Sequence, residues 1–163
     1  MKPAVAETLL IRRYGAADHE AVLRLHKIVL RHAGVYAEGH EDELDGDLDD
    51  IDTVYLRNNG EFLVGVHDDR VVAMGALRRT SDERAEIKRM RVAPALQGRG
   101  FGQEILTALE ERAAELDYTK LHLDTTTRQR AARHLYAKNG YCEVRRAAIG
   151  LFEGVFFERN LVG

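Results

Sequence analysis

The 163-residue sequence has one cysteine, two prolines and no tryptophan, and it has no long hydrophobic run. Because Cys142 has no second cysteine to pair with, an internal disulfide is excluded, which favours a reducing compartment. The apolar run Leu9–Ile11 is far shorter than the core of a signal peptide or the ~20 residues of a membrane helix. We therefore expect a cytoplasmic protein with no membrane partner.

Neither sign of charge dominates the sequence, since 24 basic residues stand against 27 acidic ones. The resulting net charge of −3 gives no indication of a nucleic-acid partner. The histidines also lack the spacing of metal ligands, because His26 and His32 are six positions apart on one predicted helix and do not share its face. Without a linker or an internal repeat, the sequence predicts one domain over residues 1–163 and no metal site.

Patterns of apolar residues predict the order of elements along the chain. The pair Asp68–Asp69 separates two apolar runs and predicts a β-hairpin. Strands are expected at 8–13, 61–67, 70–77, 86–92, 121–125, 141–149 and 155–160. Helices are expected at 101–116, at 129–138 and up to residue 32 after an N-terminal cap at Asp18. An optional second helix follows the one that Asp18 caps. The predicted fold class is α+β, a three-layer arrangement in which a mixed, mostly antiparallel central sheet has helices on both faces.

Three glycines lie close together between a predicted strand and an amphipathic helix, at Gly98, Gly100 and Gly102. Glycines let backbone N–H groups approach a ligand, and the positive end of a helix adds to an anion site suited to a pyrophosphate. A P-loop needs Gly-Lys-Ser/Thr, whereas Gln103 follows the last glycine, and a Rossmann fingerprint needs a glycine where Ile105 stands. A glycine-rich turn without a ligand is the remaining alternative.

Two patterns in register carry a family resemblance. The first is AEIKRMRV at 85–92 followed by QGRGFG at 97–102, and the second is AARHLYAKNGY at 131–141. The sequence resembles the GNAT family of N-acetyltransferases, whose signature is a Gln/Arg-x-x-Gly-x-Gly/Ala loop after the fourth strand and a later Leu-Tyr-x-x-x-Gly-Phe/Tyr pattern. The resemblance extends over essentially the whole chain, although the first 60 residues match only in element order. It implies an enzyme that moves an acetyl group from acetyl-coenzyme A (acetyl-CoA) to a primary amine.

The resemblance also implies roles for individual residues. The end of the fourth strand would bind the pantetheine arm of acetyl-CoA like an added strand, and the glycine loop would bind its pyrophosphate. Gln129 stands where the family often has a cofactor-contacting asparagine, and Tyr136 matches the tyrosine that gives a proton to the departing thiolate. The cofactor-binding residues implied in this way are Met90, Arg91, Val92, Gln97, Gly98, Arg99, Gly100, Phe101, Gly102, Gln103, Gln129 and Tyr136.

Acetyl transfer needs a base as well as an acid. A lysine-like amine with a pKa of about 10.4 is mostly protonated at neutral pH, and only its neutral form attacks a thioester. Glu86, at the start of the fourth strand, is our candidate base, and Tyr136 is our candidate acid. The alternatives are an ion-paired carboxylate at the end of a strand for Glu86 and a core aromatic with a satisfied hydroxyl for Tyr136.

The segment Glu38–Asp52 contains nine acidic residues and no lysine or arginine. The resemblance places this segment near the acceptor site, so we expect an acceptor that is cationic or carries a cationic group beside the reacting amine. The leading candidate acceptor is a small amine such as an amino acid or a polyamine. The alternative for the segment is a solvated acidic loop. Two other functions stay open: acetylation of a protein N-terminus or lysine, and a non-catalytic acyl-CoA-binding regulatory module. Because family members are often dimers, a homodimer is also an expectation.

Overall fold

The computed structural model describes residues 8–36 and 45–161. Seven strands form one sheet with the order β1-β2-β3-β4-β5-β7-β6, and every neighbouring pair is antiparallel except β4 and β5. The strands are β1 (Leu10–Arg13), β2 (Glu61–His67), β3 (Arg70–Arg79), β4 (Arg84–Val92), β5 (Lys120–Thr126), β6 (Cys142–Ile149) and β7 (Phe152–Asn160), and the helices are α1 (His19–His32), α2 (Phe101–Glu115) and α3 (Arg130–Lys138).

Apolar side chains alternate along β3 between two cores, one on each face of the sheet. Met74 and Ala76 pack with Val22, Leu25 and Val29 of α1. On the opposite face, Ala73 and Leu77 pack in the core that contains Ile105, Leu106 and Leu109 of α2. This period of two produces a three-layer molecule and confirms the predicted fold class.

The β2–β3 hairpin forms as predicted, with positive φ at both turn residues, Asp68 and Asp69, as a type I′ turn requires. The optional second helix is instead a 3-10 turn at Gly46–Asp50 and a π-helical turn at Asp52–Leu56. Aspartates compete with helical hydrogen bonding through their side chains, which accounts for this irregular segment. Asp18 precedes α1, but its carboxylate accepts hydrogen bonds from Arg12 and the Gly15 N–H and does not cap the helix.

A β-bulge interrupts β4, where Arg89 has a φ of +58° and the register with β3 shifts. In the sequence of this strand, apolar and polar residues alternate imperfectly, and the bulge explains that pattern. Lys88 pairs with Ala76 and Arg91 pairs with Met74, so these two cations lie on the same face of the sheet, the one that α1 covers. A strand with an unbroken period of two would place them on opposite faces.

β4 and β5 separate soon after they meet. Their parallel pairing covers only Arg84–Glu86 against Lys120–His122, although β4 continues to Val92 and β5 to Thr126. The backbone of β4 beyond Glu86 is therefore unpaired on the β5 side, and a ligand can bind between the two strands. Within the described ranges, no helix is long and apolar enough to cross a membrane.

Candidate active site

Two cavities meet in the gap between β4 and β5. The first, here called the loop cavity, has a volume of about 500 Å³ and lies between the glycine loop after β4 and α3. The second, here called the sheet cavity, has a volume of about 300 Å³ and lies between β4, β5 and the β6–β7 turn. The residues that line both cavities are Met90, Arg91, Gln129, Ala132 and Tyr136. A molecule in one cavity can therefore reach a molecule in the other at Tyr136.

The glycine loop forms one wall of the loop cavity. Gly98 and Gly100 have φ values of +82° and +87°, a conformation that glycine adopts without strain. A Cβ on either glycine would meet no protein atom within 4 Å, so the space beside both is open. α2 begins immediately after Gly100, and its first N–H groups have no partner within the helix. This arrangement has the geometry of an anion site.

The other predicted residues of the loop differ in their surroundings. The ring of Phe101 is buried and packs on the His67 ring at 5.6 Å, so the residue anchors the start of α2. The Gln97 amide donates a 3.0 Å hydrogen bond to the Val92 carbonyl and so ties the loop to the end of β4. Arg99 is exposed and, unlike the other residues predicted for this loop, does not line the loop cavity.

Gln103 and Gln129 both use their side chains within the protein. Gln103 exchanges two amide hydrogen bonds with Asn139, at 2.9 and 2.8 Å, which joins the start of α2 to the end of α3. The side-chain oxygen of Gln129 accepts hydrogen bonds from the Thr125 hydroxyl and from the Thr126 N–H and hydroxyl. The Gln129 amide nitrogen has no hydrogen-bond partner in the described residues, and the residue lines both cavities.

Tyr136 is held rigidly by its ring, while its hydroxyl stays unpaired. The side chain is 4% exposed, and its ring packs edge-on against Tyr141 at 5.7 Å and at a tilt against Phe157 at 6.2 Å. Its hydroxyl makes no hydrogen bond to a protein group within residues 8–36 and 45–161, and the residue lines both cavities, so the hydroxyl is available to a ligand. Burial raises the pKa of Tyr136 above its ordinary value, and the positive charge of Arg91 opposes that rise.

Glu86 lines the sheet cavity at the point where β4 and β5 separate. Its side chain is 13% exposed, and its one ion-pair contact in the described part of the chain is with Arg78 at 4.0 Å. Burial raises the pKa of Glu86, and the nearby Asp124 raises it further. The positive charges of Lys88 and Arg78 lower it, but the net shift is upward. A carboxylate with a raised pKa is a stronger base than an exposed one, which suits proton acceptance.

Asp124 also lines the sheet cavity and was not among the residues predicted from the sequence. It faces Phe156 across the β5–β7 pair and is exposed. A charged residue inside the otherwise buried-looking strand Leu121–Thr125 is the signal that could have identified it. Its proximity to Glu86 places two carboxylates in one cavity.

The acidic segment does not present the uncompensated charge that the sequence indicated. Arg89 forms hydrogen-bonded ion pairs with Asp47, through Nε at 3.0 Å, and with Asp45 at 3.2 Å. Asp47 also accepts a hydrogen bond from the Tyr55 hydroxyl. Asp45 and Asp47 are therefore not uncompensated, because both pair with Arg89, 42 positions beyond Asp47; that the segment recruits a cationic acceptor stays a prediction.

The remaining acids of the segment divide into two groups. Asp52 lies 3.6 Å from Arg57, whereas Asp49 and Asp50 are exposed. The other four, Glu38, Glu41, Asp42 and Glu43, lie outside the described residues.

We predict that Asp47→Asn lowers the free energy of unfolding at pH 7 by about 2–3 kcal/mol, because it leaves the buried Arg89 with one carboxylate fewer. Burial works to raise the pKa of Asp47, but its hydrogen bond and ion pair with Arg89 hold that pKa below the ordinary value. Such a lowered pKa contributes stability that is present above the unfolded-state pKa of about 3.9 and is lost as the pH falls. Chemical denaturation at pH 7 and pH 3 should show a difference between variant and wild type that shrinks at acidic pH.

The matched control is Asp49→Asn, two positions away and exposed. It removes the same charge without breaking an ion pair, so it should change the stability by less than about 0.5 kcal/mol. Equal effects of the two substitutions would contradict the role assigned to the Arg89 pair.

Comparisons with known proteins agree with this geometry. The family model described as Acetyltransferase (GNAT) family matches residues 23–141. An uncharacterised N-acetyltransferase of Escherichia coli (strain K12), YjgM, is 24% identical over 144 residues, or 86% of each chain. A crystal structure of a GNAT-family acetyltransferase from Staphylococcus aureus MU50 superposes with a TM-score of 0.85 at 19% identity, over 94% of this chain and 99% of that one.

A second solved structure resembles the chain nearly as well. It is yncA, a putative acetyltransferase from Salmonella typhimurium with its cofactor acetyl-CoA. The superposition has a TM-score of 0.79 at 19% identity and covers 96% of this chain and 95% of that one. At these identities the likeness establishes the fold. The family model matches well over half of the sequence, including β4, the glycine loop and α3. The chain therefore belongs to the acetyltransferase (GNAT) family, as its motifs predicted.

Proposed function

We propose that this acetyltransferase moves the acetyl group of acetyl-CoA directly to the primary amine of a small molecule. The observation that carries the proposal is the meeting of the two cavities at Tyr136, where β4 and β5 have separated. Acetyl-CoA would lie in the loop cavity and the amine in the sheet cavity. Solved relatives support the choice of co-substrate: yncA carries acetyl-CoA, and the PaiA N-acetyltransferase of Thermoplasma acidophilum is in complex with coenzyme A.

The loop cavity suits the length and charge of this co-substrate. The backbone N–H groups from Gly98 to Gln103 would bind the pyrophosphate, and the unpaired edge of β4 at Met90 and Val92 would bind the pantetheine arm. Gln129 lines both cavities, and its amide nitrogen would be a hydrogen-bond donor to that arm. Arg91 would contribute its backbone to this edge, and Arg99 would act through its charge at the mouth of the loop.

The reaction itself needs two proton transfers. The neutral amine nitrogen forms a bond to the thioester carbonyl carbon, and the carbon–sulfur bond breaks. Glu86, directly or through water, takes a proton from the amine, and the Tyr136 hydroxyl gives one to the departing sulfur. The raised pKa of Glu86 and the unpaired hydroxyl of Tyr136 support these roles.

The dimensions of the sheet cavity favour a small acceptor over a protein chain. Its volume is about 300 Å³, and Ile149 and Phe152 from the β6–β7 turn line it. A protein N-terminus or lysine remains the second candidate among acceptors, and a non-catalytic acyl-CoA-binding module is the third candidate function. The cytoplasmic location and the homodimer also remain predictions.

One experiment separates these functions. Calorimetric titration with acetyl-CoA tests the loop cavity, and a thiol-release assay then tests amino acids, polyamines and peptides as acceptors. The proposal expects binding and the fastest release with a small amine. Binding without release for any acceptor would support the regulatory module, and release with peptides alone would support a protein acceptor.

We predict that Glu86→Gln lowers the rate most near neutral pH and that the rate recovers partly at alkaline pH. Above the amine pKa of about 10.4, the acceptor loses its proton without help. The measurement is the pH profile of kcat/KM for the best acceptor, between pH 6 and a pH close to that of amine deprotonation.

Glu83→Gln provides the control, because Glu83 precedes the same strand and is exposed. It should leave the profile unaltered. A loss of rate in Glu86→Gln that is constant across the pH range would assign Glu86 a structural role.

A further inference from the structure

The sheet cavity contains cations as well as carboxylates. Lys88, Arg89 and Arg91 all line it, together with Asp45, Glu86 and Asp124. Arg89 is neutralised by its ion pairs with the acidic segment. Lys88 and Arg91 form no ion pair with a carboxylate in the described part of the chain, and the β4 bulge places them on the same face of the sheet.

Arg91 has no direct contact with a carboxylate among the described residues. Its Nη1 donates a 2.8 Å hydrogen bond to the Met90 carbonyl, and its Nε lies 3.4 Å from Nδ1 of His26. His26 is buried, and burial lowers its pKa, while Asp45, 3.1 Å from its Nε2, opposes that shift. The Nη2 group of Arg91 has no hydrogen-bond partner among the described residues, although Arg91 lines both cavities.

The charge on Arg91 persists despite this environment. Burial, with a further contribution from the like charge of Arg89, lowers the pKa of Arg91 to about 10, which still leaves it protonated at neutral pH. Asp45, Asp47 and Tyr136 act in the opposite direction without contacting it. A cation that is withdrawn from water is stabilised by an anion, and a carboxylate suits the planar guanidinium.

The acceptor can supply an anion that contacts Arg91 and Lys88 directly. In the proposed function, the phosphates of acetyl-CoA lie at the glycine loop, away from Lys88, which lines only the sheet cavity. An acceptor with amines alone would bring a further positive charge to Lys88 and Arg91. An acceptor with a carboxylate would pair with both.

We propose that the acceptor is an α-amino acid, whose carboxylate is bound by Arg91 and Lys88 while its amine lies between Glu86 and Tyr136. Arg91 and Tyr136 line the same two cavities, which suits an acceptor whose carboxylate and reacting amine are close together, as on one carbon atom. Leu30, Val35, Ile149 and Phe152 are among the apolar residues of the lining, which suit an apolar side chain. The carboxylate is unchanged by the reaction, and the products are an N-acetyl amino acid and the thiol of coenzyme A.

This inference rests on the proposed acetyl transfer and is tested with matched acceptors. Leucine, leucinamide and isopentylamine share a side chain and a primary amine, but leucine alone has the carboxylate. If Arg91 and Lys88 bind it, kcat/KM for leucine should exceed that for the other two by roughly 10- to 100-fold. Equal values for leucine and leucinamide, or a preference for isopentylamine, would overturn the proposal.

Variants then test which residues bind the carboxylate of the acceptor. Arg91→Gln and Lys88→Gln should each reduce the ratio of leucine to leucinamide by roughly 10-fold or more, through a higher KM for leucine. Arg91→Lys should retain part of the ratio, because it keeps the charge. Lys27→Gln, which removes an exposed cation of α1 outside both cavities, should leave the ratio unaltered.

The possible failures are distinguishable. If Arg91→Gln and Lys88→Gln slow all three acceptors equally, these residues do not bind a carboxylate, and the inference fails while acetyl transfer stands. If polyamines or peptides are acetylated in preference to every amino acid, the inference also fails. If acetyl-CoA binds but no amine is acetylated, the proposed function fails and this inference fails with it.

Discussion

Replacing Tyr136 with phenylalanine is expected to lower kcat by roughly 10- to 1,000-fold and to change the affinity for acetyl-CoA little. The substitution removes one hydroxyl and keeps the ring, which packs against Tyr141 and Phe157. Because the hydroxyl has no hydrogen-bond partner in the described residues, its loss should not destabilise the fold. Steady-state kinetics with the best acceptor and calorimetry with acetyl-CoA measure the two quantities.

Tyr141→Phe is the matched control. Tyr141 lies against Tyr136, but its hydroxyl donates a 2.9 Å hydrogen bond to Glu110 and it lines neither cavity. Its substitution should reduce stability by about 1 kcal/mol and leave kcat near the wild-type value. If kcat is unchanged in Tyr136→Phe, then Tyr136 is not the acid and is a core aromatic residue only.

The environment of Tyr136 also determines the pH range over which its hydroxyl keeps the proton. Burial raises its pKa, so the hydroxyl keeps its proton at pH values where an exposed tyrosine, with a pKa near about 10, has lost half of it. The acid is therefore present throughout the range in which the amine becomes neutral. The same burial makes proton release more costly, and the nearby charge of Arg91 offsets part of that cost.

Local patterns were sufficient to predict the elements that form the loop cavity. The Asp68–Asp69 turn, the glycine loop and the α3 terminus at Gly140 depend on residues next to each other in the sequence, and all three have the predicted conformation. The order and type of strands follow from the period of their apolar residues. These features need no information about distant contacts.

The charges of the sheet cavity could not be predicted in the same way. Asp47 and Arg89 are 42 positions apart in the sequence, and their pairing depends on how the segment folds back over β4. The bulge at Arg89 decides that Lys88 and Arg91 share a face, and the imperfect alternation of β4 in the sequence does not give the position of that bulge. The sequence therefore led to an acidic acceptor site, whereas the structure has carboxylates and unpaired cations together.

Replacing Gly100 with valine should abolish measurable binding of acetyl-CoA and leave a folded protein. The Cβ of the variant would enter open space beside the loop, where the pyrophosphate is proposed to bind, and would meet no protein atom. Several charge-assisted hydrogen bonds to backbone N–H groups would be lost together, which weakens binding on the order of 100-fold or more. Calorimetry with acetyl-CoA measures the affinity, and circular dichroism with thermal unfolding checks the fold.

Backbone strain and ligand contact must be separated in this experiment, because Gly100 has a φ of +87°, which disfavours any other residue. Gly140 offers a close match: it also has a φ of +87°, and a Cβ there would lie 3.8 Å from the Arg159 side chain, an ordinary contact. Gly140→Val should therefore incur a similar strain of about 1–2 kcal/mol and still bind acetyl-CoA, because Gly140 lies outside both cavities. If both variants lose binding equally, strain is the cause; if neither does, the pyrophosphate binds elsewhere and the assignment of the glycine loop is wrong.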